Sequence, residues 1–423
     1  MKINRQVLSW GFYDWANSAF ATTVIAGFFP VFFKQYWAQG QDVTESTFYL
    51  GLVNSLASLF IVIFAPLLGA MADHLSQRKK FLFLFAITGI LMTAGLSLIA
   101  EGAWFVALVL YFFALLGFSG SNIFYDSLLL NVTSIKKVDM VSSFGFSMGY
   151  LGGGILFAFN ILLVSMPEYF GLNGSVEAVK VSFISVAIWW AIFTIPLLLF
   201  VKEENDRSQE LVLLESFNRL IVTFKQIVEL KMTFIFLLSY WFYIDGVDTI
   251  IRMAIDFGLS VGLDSNALLA ALLVTQLVGF PAALVFGKIG EAKGPKFGIG
   301  LSLIVYCLIV LWAYQLSEQW EFYTLAVAVG LVQGGIQSLS RSLYARLIPI
   351  TKKAEFFGFY NMLGKFAAVI GPLMVGFVGL QTGDSRLGIL SVLVLFFIGG
   401  YLLFKVDLER GMADAKTFSS ISR

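Results

Sequence analysis

The chain is 423 residues long, a length that suits two or three soluble domains, but its composition excludes that class. It is 58% hydrophobic and 13% charged, whereas an ordinary globular domain is about 25% charged. Because a soluble fold cannot cover that much apolar surface, most of the chain faces lipid. A formal net charge of +1 gives no basis for binding nucleic acid. One Cys and one His exclude a disulfide framework and a Cys/His zinc site, which leaves proton chemistry to carboxylates.

Twelve apolar runs have the length of transmembrane helices, since a bilayer core requires about 20 apolar residues per helix. They predict an all-α integral membrane protein in contact with the lipid bilayer. The predicted spans are 9–34, 47–71, 80–100, 103–131, 140–164, 178–201, 232–256, 265–288, 296–316, 320–346, 354–379 and 386–405. The division with the weakest signal is the one at Ala100-Glu101-Gly102.

Basic residues gather in the connections on one side of these spans, which predicts that this side is cytoplasmic. Arg5, Lys80 and Lys137 are examples, whereas the opposite connections hold acids such as Asp42 and Asp264. Both termini are then cytoplasmic, as an even number of spans requires. The polar first residues are not typical of a cleaved signal peptide.

The longest polar stretch divides the chain into six spans plus six. We predict an N-terminal half at 1–201, a cytoplasmic linker at 202–231, a C-terminal half at 232–405 and a cytoplasmic tail at 406–423. Apolar residues at helical spacing in the linker predict an amphipathic helix on the membrane surface. They are Leu213, Phe217, Leu220, Phe224, Ile227 and Val228.

Two loops share one pattern, which indicates a parallel duplication of the two halves. One begins at Gly69 after span two and the other at Gly287 after span eight. In each loop an acid follows the Gly by four residues and a base follows it by nine. Carboxylates that face helix N-termini and nearby bases predict a cytoplasmic gate, with an ordinary basic loop as the alternative. The predicted gate residues are Asp73, Arg78, Lys79, Glu291 and Lys296.

Polar side chains repeat on one face of every third predicted span, because their spacing is three or four residues. The first span carries Asp14, Asn17, Ser18 and Thr22; the fourth carries Ser119, Asn122 and Asp126; the seventh carries Asp245, Asp248 and Arg252; the tenth carries Gln333, Gln337 and Arg341. Four such faces predict one water-filled substrate cavity between the halves. Asn361 and Lys365 of span eleven are added to it.

Three carboxylates within the spans are candidates for proton coupling, because an ionised group in lipid costs several kcal/mol unless it is paired or hydrated. Asp245 comes first, since Asp248 and Arg252 can pair and leave it without a local partner. Asp126 and Asp14 follow. The alternatives are a purely structural network for Asp245 and Asp126, and interfacial anchoring for Asp14.

The bases within the spans bear on the charge of the solute. Lys365 and Arg252 admit an anionic group, whereas the carboxylates admit a cationic one, so together they suit a zwitterion such as an amino acid. Arg341 lies near the end of its span and can alternatively reach the membrane surface.

Gly145, Gly149 and Gly153 recur at intervals of four in span five. Small residues at this spacing predict the close approach of another helix, with hinge flexibility as the alternative. No strand precedes the glycines, so they do not match a phosphate-binding loop. The chain has no constellation typical of an enzyme, and we expect no cofactor.

These motifs resemble the major facilitator superfamily, whose cytoplasmic turn is close to Gly-x-Leu-Ala-Asp-Arg-x-Gly-Arg-Lys. Within it, several segments are similar to the autophagy-related vacuolar amino-acid effluxers and their bacterial relatives. The segments are Tyr13-Asp14-Trp15-Ala16-Asn17-Ser18-Ala19-Phe20, Ser142-Ser143-Phe144-Gly145 through Gly149-Tyr150-Leu151-Gly152-Gly153, Tyr243-Ile244-Asp245-Gly246, Gln333-Gly334-Gly335-Ile336-Gln337-Ser338-Leu339-Ser340-Arg341 and Ala354-Glu355-Phe356-Phe357-Gly358. The chain departs from these relatives at Tyr125-Asp126 and at Leu129-Leu130-Asn131, where they tend to have Tyr-Asn and Leu-Pro-acid.

The resemblance implies the major facilitator fold, with twelve helices in two six-helix halves, and transport by alternating access. We therefore predict a secondary active transporter of a small polar solute, with amino acids, export and proton coupling favoured. A transporter-like sensor or receptor, or an importer of another small metabolite, is the alternative. The expected partners are the solute, a proton or other coupling ion and the bilayer. We expect a monomer, and the compact loops favour a bacterial inner membrane.

Overall fold

The computed structural model describes residues 4–40, 43–75, 77–203, 222–260, 265–382 and 384–421, and all regular secondary structure in these ranges is helical. Twelve long helices and a shorter C-terminal one follow in chain order. They are α1 Arg5–Trp37, α2 Val43–Leu75, α3 Arg78–Leu96, α4 Trp104–Val132, α5 Val138–Ser165, α6 Ser175–Phe200, α7 Lys231–Ser260, α8 Ser265–Lys293, α9 Pro295–Tyr314, α10 Gln319–Leu347, α11 Lys353–Thr382, α12 Ser385–Lys405 with a break at Val392, and α13 Leu408–Ile421.

Each predicted span corresponds to one of the helices α1 to α12, and the predicted all-α membrane fold is confirmed. Within the described ranges, ten helices are long and apolar enough to cross a membrane, and α2 and α11 carry shorter apolar stretches. The division at Ala100-Glu101-Gly102 is also confirmed, because α3 ends at Leu96 and α4 begins at Trp104. Gly102 makes this turn with a φ of 76°.

Local signals in the sequence account for several helix starts. The side chain of Asn4 accepts a hydrogen bond from the Val7 N–H at 2.8 Å and caps α1. Glu318 and Glu321 form a capping box at the start of α10. α9 begins at Pro295, a position where a helix does not need the missing N–H.

The two six-helix halves repeat the same contact at their ends, as a parallel duplication requires. Lys79 Nζ donates to the Val201 carbonyl just beyond α6 at 2.8 Å. Lys296 Nζ donates to the Val406 carbonyl just beyond α12, also at 2.8 Å. Each base binds the negative end of the last helix in its half. The guanidinium carbon of Arg5, at the start of α1, lies 3.5 Å from the centre of the Phe200 ring, which ends α6. We call the face of the molecule that holds all these helix ends the terminus side.

The halves make their most extensive contacts along two helix pairs, α5 with α8 and α2 with α11. Because α2 corresponds to α8 and α5 to α11 in the repeat, the two seams are equivalent. Gly69 in α2 lets the backbone of α11 pass closely, since a Cβ there would collide with the Ala354 carbonyl.

The described end of the linker, residues 222–229, is helical. Thr223 hydrogen-bonds Glu355 at the start of α11, and Ile227 is buried while Phe224 is exposed. Val228, a third residue of the predicted apolar face, is exposed as well, so the amphipathic helix on the membrane surface stays a prediction. Leu213, Phe217 and Leu220 lie outside the described residues.

Candidate functional site

A polar chamber of about 310 Å³ lies between the two halves. α1, α4 and α5 of the first half and α8, α10 and α11 of the second supply its walls. The lining residues are Asp14, Asn17, Ser18, Ala21, Thr22, Phe118, Asn122, Tyr125, Asp126, Phe146, Gly149, Tyr150, Gln276, Gln333, Gln337, Arg341 and Asn361. The polar faces predicted on spans one, four and ten therefore converge on one space.

Arg341 on α10 reaches across the chamber wall and pairs with two carboxylates of the first half. Its Nη1 atom lies 3.0 Å from Asp126 Oδ1 and 3.9 Å from Asp14 Oδ2. The Arg341 side chain is only 3% exposed, so it lies inside the protein rather than at the membrane surface. Two carboxylates share one guanidinium, which leaves one excess negative charge when both acids are ionised.

The other donors of Arg341 are taken by α5. Nε donates to Ser142 Oγ at 2.9 Å, and Nη2 donates to the Ser142 carbonyl at 2.8 Å. The rings of Phe146 and Trp10 lie 4.3 Å and 4.9 Å from the guanidinium and add cation–π attraction. Ser142 Oγ donates in turn to the Ser338 carbonyl at 2.7 Å. The guanidinium is thus held by several groups of the opposite half.

The two carboxylates differ in how well they are compensated. Asp126 binds Arg341 through one oxygen and accepts from Asn361 Nδ2 at 3.2 Å through the other. Asp14 accepts from Tyr125 Oη at 3.0 Å, with Ser18 Oγ more distant at 3.5 Å. Since Arg341 is also nearer to Asp126, Asp14 holds the less compensated charge.

Carboxamides form much of the remaining polar wall. Asn17 Nδ2 donates to Asn122 Oδ1 at 2.5 Å, which joins α1 to α4. Gln276, Gln333 and Gln337 lie on the second half. Because a carboxamide both donates and accepts, this wall suits a solute with hydrogen-bonding groups of either kind.

Glycines on α5 allow α1 to approach the chamber closely. A Cβ on Gly149 would lie 2.6 Å from Ser18 Oγ and 3.1 Å from Asp14 Oδ1, and a Cβ on Gly153 would lie 2.9 Å from Thr22 Oγ1. The close packing predicted from the glycine spacing is confirmed. It brings the Asp14 carboxylate into reach of α4 and α10.

An apolar pocket of about 280 Å³ adjoins the chamber and shares four lining residues with it: Ala21, Thr22, Gln276 and Gln333. Aliphatic and aromatic side chains of α7, α8, α9 and α10 supply most of its remaining wall. α1 is π-helical over Phe20–Phe28, where it lines both spaces, and π-helical turns are frequent at functional sites.

The polar face of α7 occupies a different place from the one predicted. No described residue that lines the polar chamber comes from α7. Asp245 Oδ1 instead accepts from the Gly371 N–H of α11 at 2.9 Å, and its buried Oδ2 atom has no hydrogen-bond partner among the described residues. Asp248 is partly buried and Arg252 is exposed. The side chain of Lys365 lies outside the described residues.

Polar contacts close the terminus side below the chamber. Asp139 at the start of α5 forms an ion pair with Arg346 near the end of α10 at 2.6 Å. Ser143 Oγ donates to Ser338 Oγ at 2.9 Å. Asn131 at the end of α4 accepts from Lys353 Nζ at the start of α11 at 3.4 Å. Each contact joins the first half to the second.

The predicted gate residues lie at the same side, and their described contacts are mainly within one half. The Arg78 N–H donates to Glu203 Oε1, just beyond α6, at 2.5 Å. The Arg78 Nη1 atom lies 3.4 Å from Asn131 Oδ1, which also accepts from Lys353 of α11. Lys79 and Lys296 bind the ends of α6 and α12. Glu291 is exposed, and the side chain of Asp73 lies outside the described residues. The predicted gating role stays a prediction.

Sequence reasoning missed several residues that the structure brings to the site. Tyr125 and Ser142 bind the charged network, and Gln276 lines both spaces. Ser142 lies in a segment that resembles known relatives, which is a signal of function, and Tyr125 directly precedes Asp126, where the chain departs from them. Gln276 follows Thr275 in the interior of an otherwise apolar stretch, where a polar group is costly.

Two six-helix halves around a buried charged chamber define a transporter of the major facilitator class. A solved structure of the human organic anion transporter MFSD10 (TETRAN) has the same fold, with a TM-score of 0.76 and 14% identity, and covers 95% of this chain and 100% of that one.

The family follows from the sequence comparisons. The family model described as vacuole effluxer Atg22 like matches residues 38–130 and 130–416, and the chain belongs to this family. It is 38% identical over 411 residues to YxiO of Bacillus subtilis (strain 168), an uncharacterized MFS-type transporter, with 96% of each chain covered. Autophagy-related protein 22 of Yarrowia lipolytica is 26% identical over 331 residues, which cover 69% of this chain and 55% of that protein. The chain is therefore an integral membrane transporter and not an enzyme.

Proposed function

We propose that the chain is a proton-coupled secondary transporter that exports a small polar solute with an amino group, with amino acids and similar zwitterions as the favoured class. Residues 1–201 rock against residues 232–405 and expose the chamber to each side in turn. Membership of an effluxer family supports export. The Bacillus relative supports a bacterial inner membrane, and the positive-inside rule supports a cytoplasmic terminus side.

The observation that carries this proposal is the charged network that crosses between the halves. Arg341 of the second half binds Asp126 and Ser142 of the first, so the network breaks whenever the terminus side opens. Leaving a buried charge without its partner costs about 3–5 kcal/mol. Opening therefore requires a compensating change of charge, which proton or solute binding at the carboxylates supplies.

The proposal assigns proton coupling to Asp14 and Asp126. Because these two acids share one guanidinium, a single bound proton brings the network to zero net charge, and the two titrate as a coupled pair. A role for Asp245 in proton coupling stays a prediction from the sequence. Its carboxylate is buried, but it binds α11 instead of lining the chamber.

The proposed solute-binding wall consists of the polar residues that line the chamber on both halves. These are Asn17, Ser18, Asn122, Gln333, Gln337 and Asn361. Their carboxamides orient the solute through hydrogen bonds, and Asp14 supplies the charge that meets an amino group.

Flux of labelled amino acids in proteoliposomes with an imposed pH gradient tests this function. We expect wild-type flux to follow the pH gradient, and we expect Asp14→Asn and Asp126→Asn to lose that dependence. Glu168→Gln is the control, because Glu168 is an exposed acid outside the chamber. Wild-type flux that ignores the pH gradient would remove proton coupling from the proposal.

Counterflow separates a carrier from a sensor that retains the transporter fold. Vesicles loaded with unlabelled solute exchange it for external labelled solute only if the protein turns over. Binding without exchange would show that the chain is a receptor.

A further inference from the structure

We infer that the chamber recognises an organic cation with an apolar body, and that the ammonium group of this solute competes with a proton for Asp14. The inference rests on the proposed transport function and changes its favoured substrate class from zwitterions to organic cations. The amino group of the solute is required, whereas a carboxylate is not.

The charge balance of the chamber favours a cation. Arg341 is the single basic residue among the described residues that line the chamber and the apolar pocket. Its Nε, Nη1 and Nη2 atoms already donate to Ser142 and Asp126. A solute carboxylate therefore meets no free cationic partner among these residues, while an ammonium group meets Asp14.

Asp14 is the acid best placed to receive the ammonium group. Asp126 is engaged at both oxygens, whereas Asp14 has one short hydrogen bond, from Tyr125 at 3.0 Å. The rings of Phe118 and Tyr150 line the same chamber. Aromatic faces attract cations, so carboxylate and rings select for the same charge.

The apolar pocket supplies the rest of the recognition. It adjoins the chamber at Thr22 and Gln276, which line both spaces, and its wall includes Ile250, Phe257 and Leu268. An inorganic cation needs no such space, whereas an aliphatic or aromatic body attached to the ammonium group fills it. Pockets of several hundred Å³ with few polar groups are typical of organic ligands.

The same charge balance predicts exchange with a proton. The titratable or charged groups that face Asp14 are Tyr13 on its own helix, Tyr125 and Asp126 on α4, Tyr150 on α5 and Arg341 on α10. Arg341 compensates one of the two acids, so one site for a positive charge is left. When an ammonium group binds, the proton on the Asp14 carboxyl leaves to solvent and the carboxylate pairs with the ammonium. Exchange of one cation for one proton moves no net charge.

Three probes of similar size test the inference on the purified full chain: 2-phenylethylamine, phenylalanine and 3-phenylpropionate. Calorimetric titration in weakly buffered solution over a range of pH measures affinity and proton release together. We expect the amine to bind with release of up to about one proton. Because the carboxylate of phenylalanine stays unpaired, phenylalanine should bind about tenfold to a hundredfold more weakly. 3-Phenylpropionate should not bind.

Variants connect the signal to Asp14. Asp14→Asn should lose amine binding and proton release, and Asp14→Glu, which keeps the carboxylate, should retain proton release at reduced affinity. Glu168→Gln should match wild type. Thermal unfolding confirms that each variant is folded before it is titrated.

The outcomes separate this inference from the proposed function. Equal affinity for the amine and phenylalanine, or amine binding without proton release, overturns the inference. If labelled phenylalanine shows flux driven by a pH gradient while the amine neither binds nor competes, the cation inference fails and the transport proposal stands. If neither the amine nor any labelled amino acid shows flux or counterflow, the proposed function itself fails.

Discussion

Replacing Asp126 by Asn tests whether the charged network holds the terminus side closed. The variant leaves Arg341 buried, with Asp14 at 3.9 Å as the nearest carboxylate among the described residues. With a proton on Asp14 the closed wild type is neutral, whereas the variant buries the charge of Arg341 without an ionised partner among the described residues. Removal of one partner from a buried ion pair costs about 3–5 kcal/mol, because the remaining charge stays buried. Since Asp14 can release its proton and attract Arg341, we expect the lower end, about 3 kcal/mol, which shifts the equilibrium away from the closed state by roughly a hundredfold.

Cysteine accessibility measures this shift. Cys307 is first replaced by Ser, which removes the single native Cys. Met140 is then replaced by Cys, because it is buried between α5 and α8 near the terminus side, beside Gly287. A maleimide added to the terminus side reacts with this Cys when the halves separate. The labelling rate follows the open fraction, so we expect it to rise at least about tenfold in Asp126→Asn.

A second variant and a negative result define the test. Arg341→Gln combined with Asp126→Asn removes both charges, so it should perturb the equilibrium less than the sum of the two single changes. If Asp126→Asn labels at the wild-type rate and unfolds at the wild-type temperature, the network contributes nothing to closure and the reasoning is wrong.

Three further predictions concern packing, α7 and pH. Gly149→Ala places a methyl group 2.6 Å from the Ser18 hydroxyl on α1 and should lower the stability of the folded protein by about 1–3 kcal/mol, measured by thermal unfolding. Gly300→Ala is the matched control, because a methyl group there meets nothing within 4 Å. Asp245→Asn removes the charge that accepts the Gly371 N–H and should cost about 1–3 kcal/mol without changing the pH dependence of flux; loss of that dependence would instead support the role predicted from the sequence. Burial raises the pKa of Glu203 above its ordinary value. The protonated form therefore contributes stability at low pH that is lost as pH rises. The unfolding temperature of wild type minus that of Glu203→Gln should be larger near about pH 5 than near about pH 8.

The helices were predictable from the sequence because lipid imposes one strong rule, that a spanning segment is apolar for about 20 residues. Span six, predicted at 178–201, is observed at Ser175–Phe200. The turn between α3 and α4 needed only a charge and a glycine at 101–102. The same rule does not reveal which helices touch, so the α5–α8 and α2–α11 seams came from the structure.

The candidate site was predictable in part. Helical spacing predicted polar faces on three spans, and Asp14, Asn122 and Gln337 from these faces line one chamber. The same spacing grouped Asp245 with its neighbours on one face of α7, but periodicity does not show which helix that face meets. Pro372 lies inside α11 directly after Gly371, and a proline disturbs the hydrogen bonds of its helix. Gly371 belongs to the turn that this proline disturbs, and its N–H binds Asp245.

The closing contacts were harder to predict because they join residues far apart in the chain. Asp139 and Arg346 form an ion pair across 207 positions. Each residue alone reads as an ordinary charge beside the membrane, where most ion pairs contribute little. Burial of Asp139 between the halves makes the pair distinctive, and burial of this kind is a property of the assembled fold.

The proposed exchange and the closure of the chamber have one electrostatic cause. With both acids ionised and the chamber empty, the closed state buries one negative charge that Arg341 does not compensate, and burial of an uncompensated charge is costly. A proton or an ammonium group at Asp14 removes that cost, and because there is one excess charge, only one of the two is needed. The closed intermediate therefore forms readily when it carries either a proton or a solute cation and poorly when it is empty. A transporter that passes through its closed state only when it carries a proton or a solute cation exchanges these two ions and leaks neither.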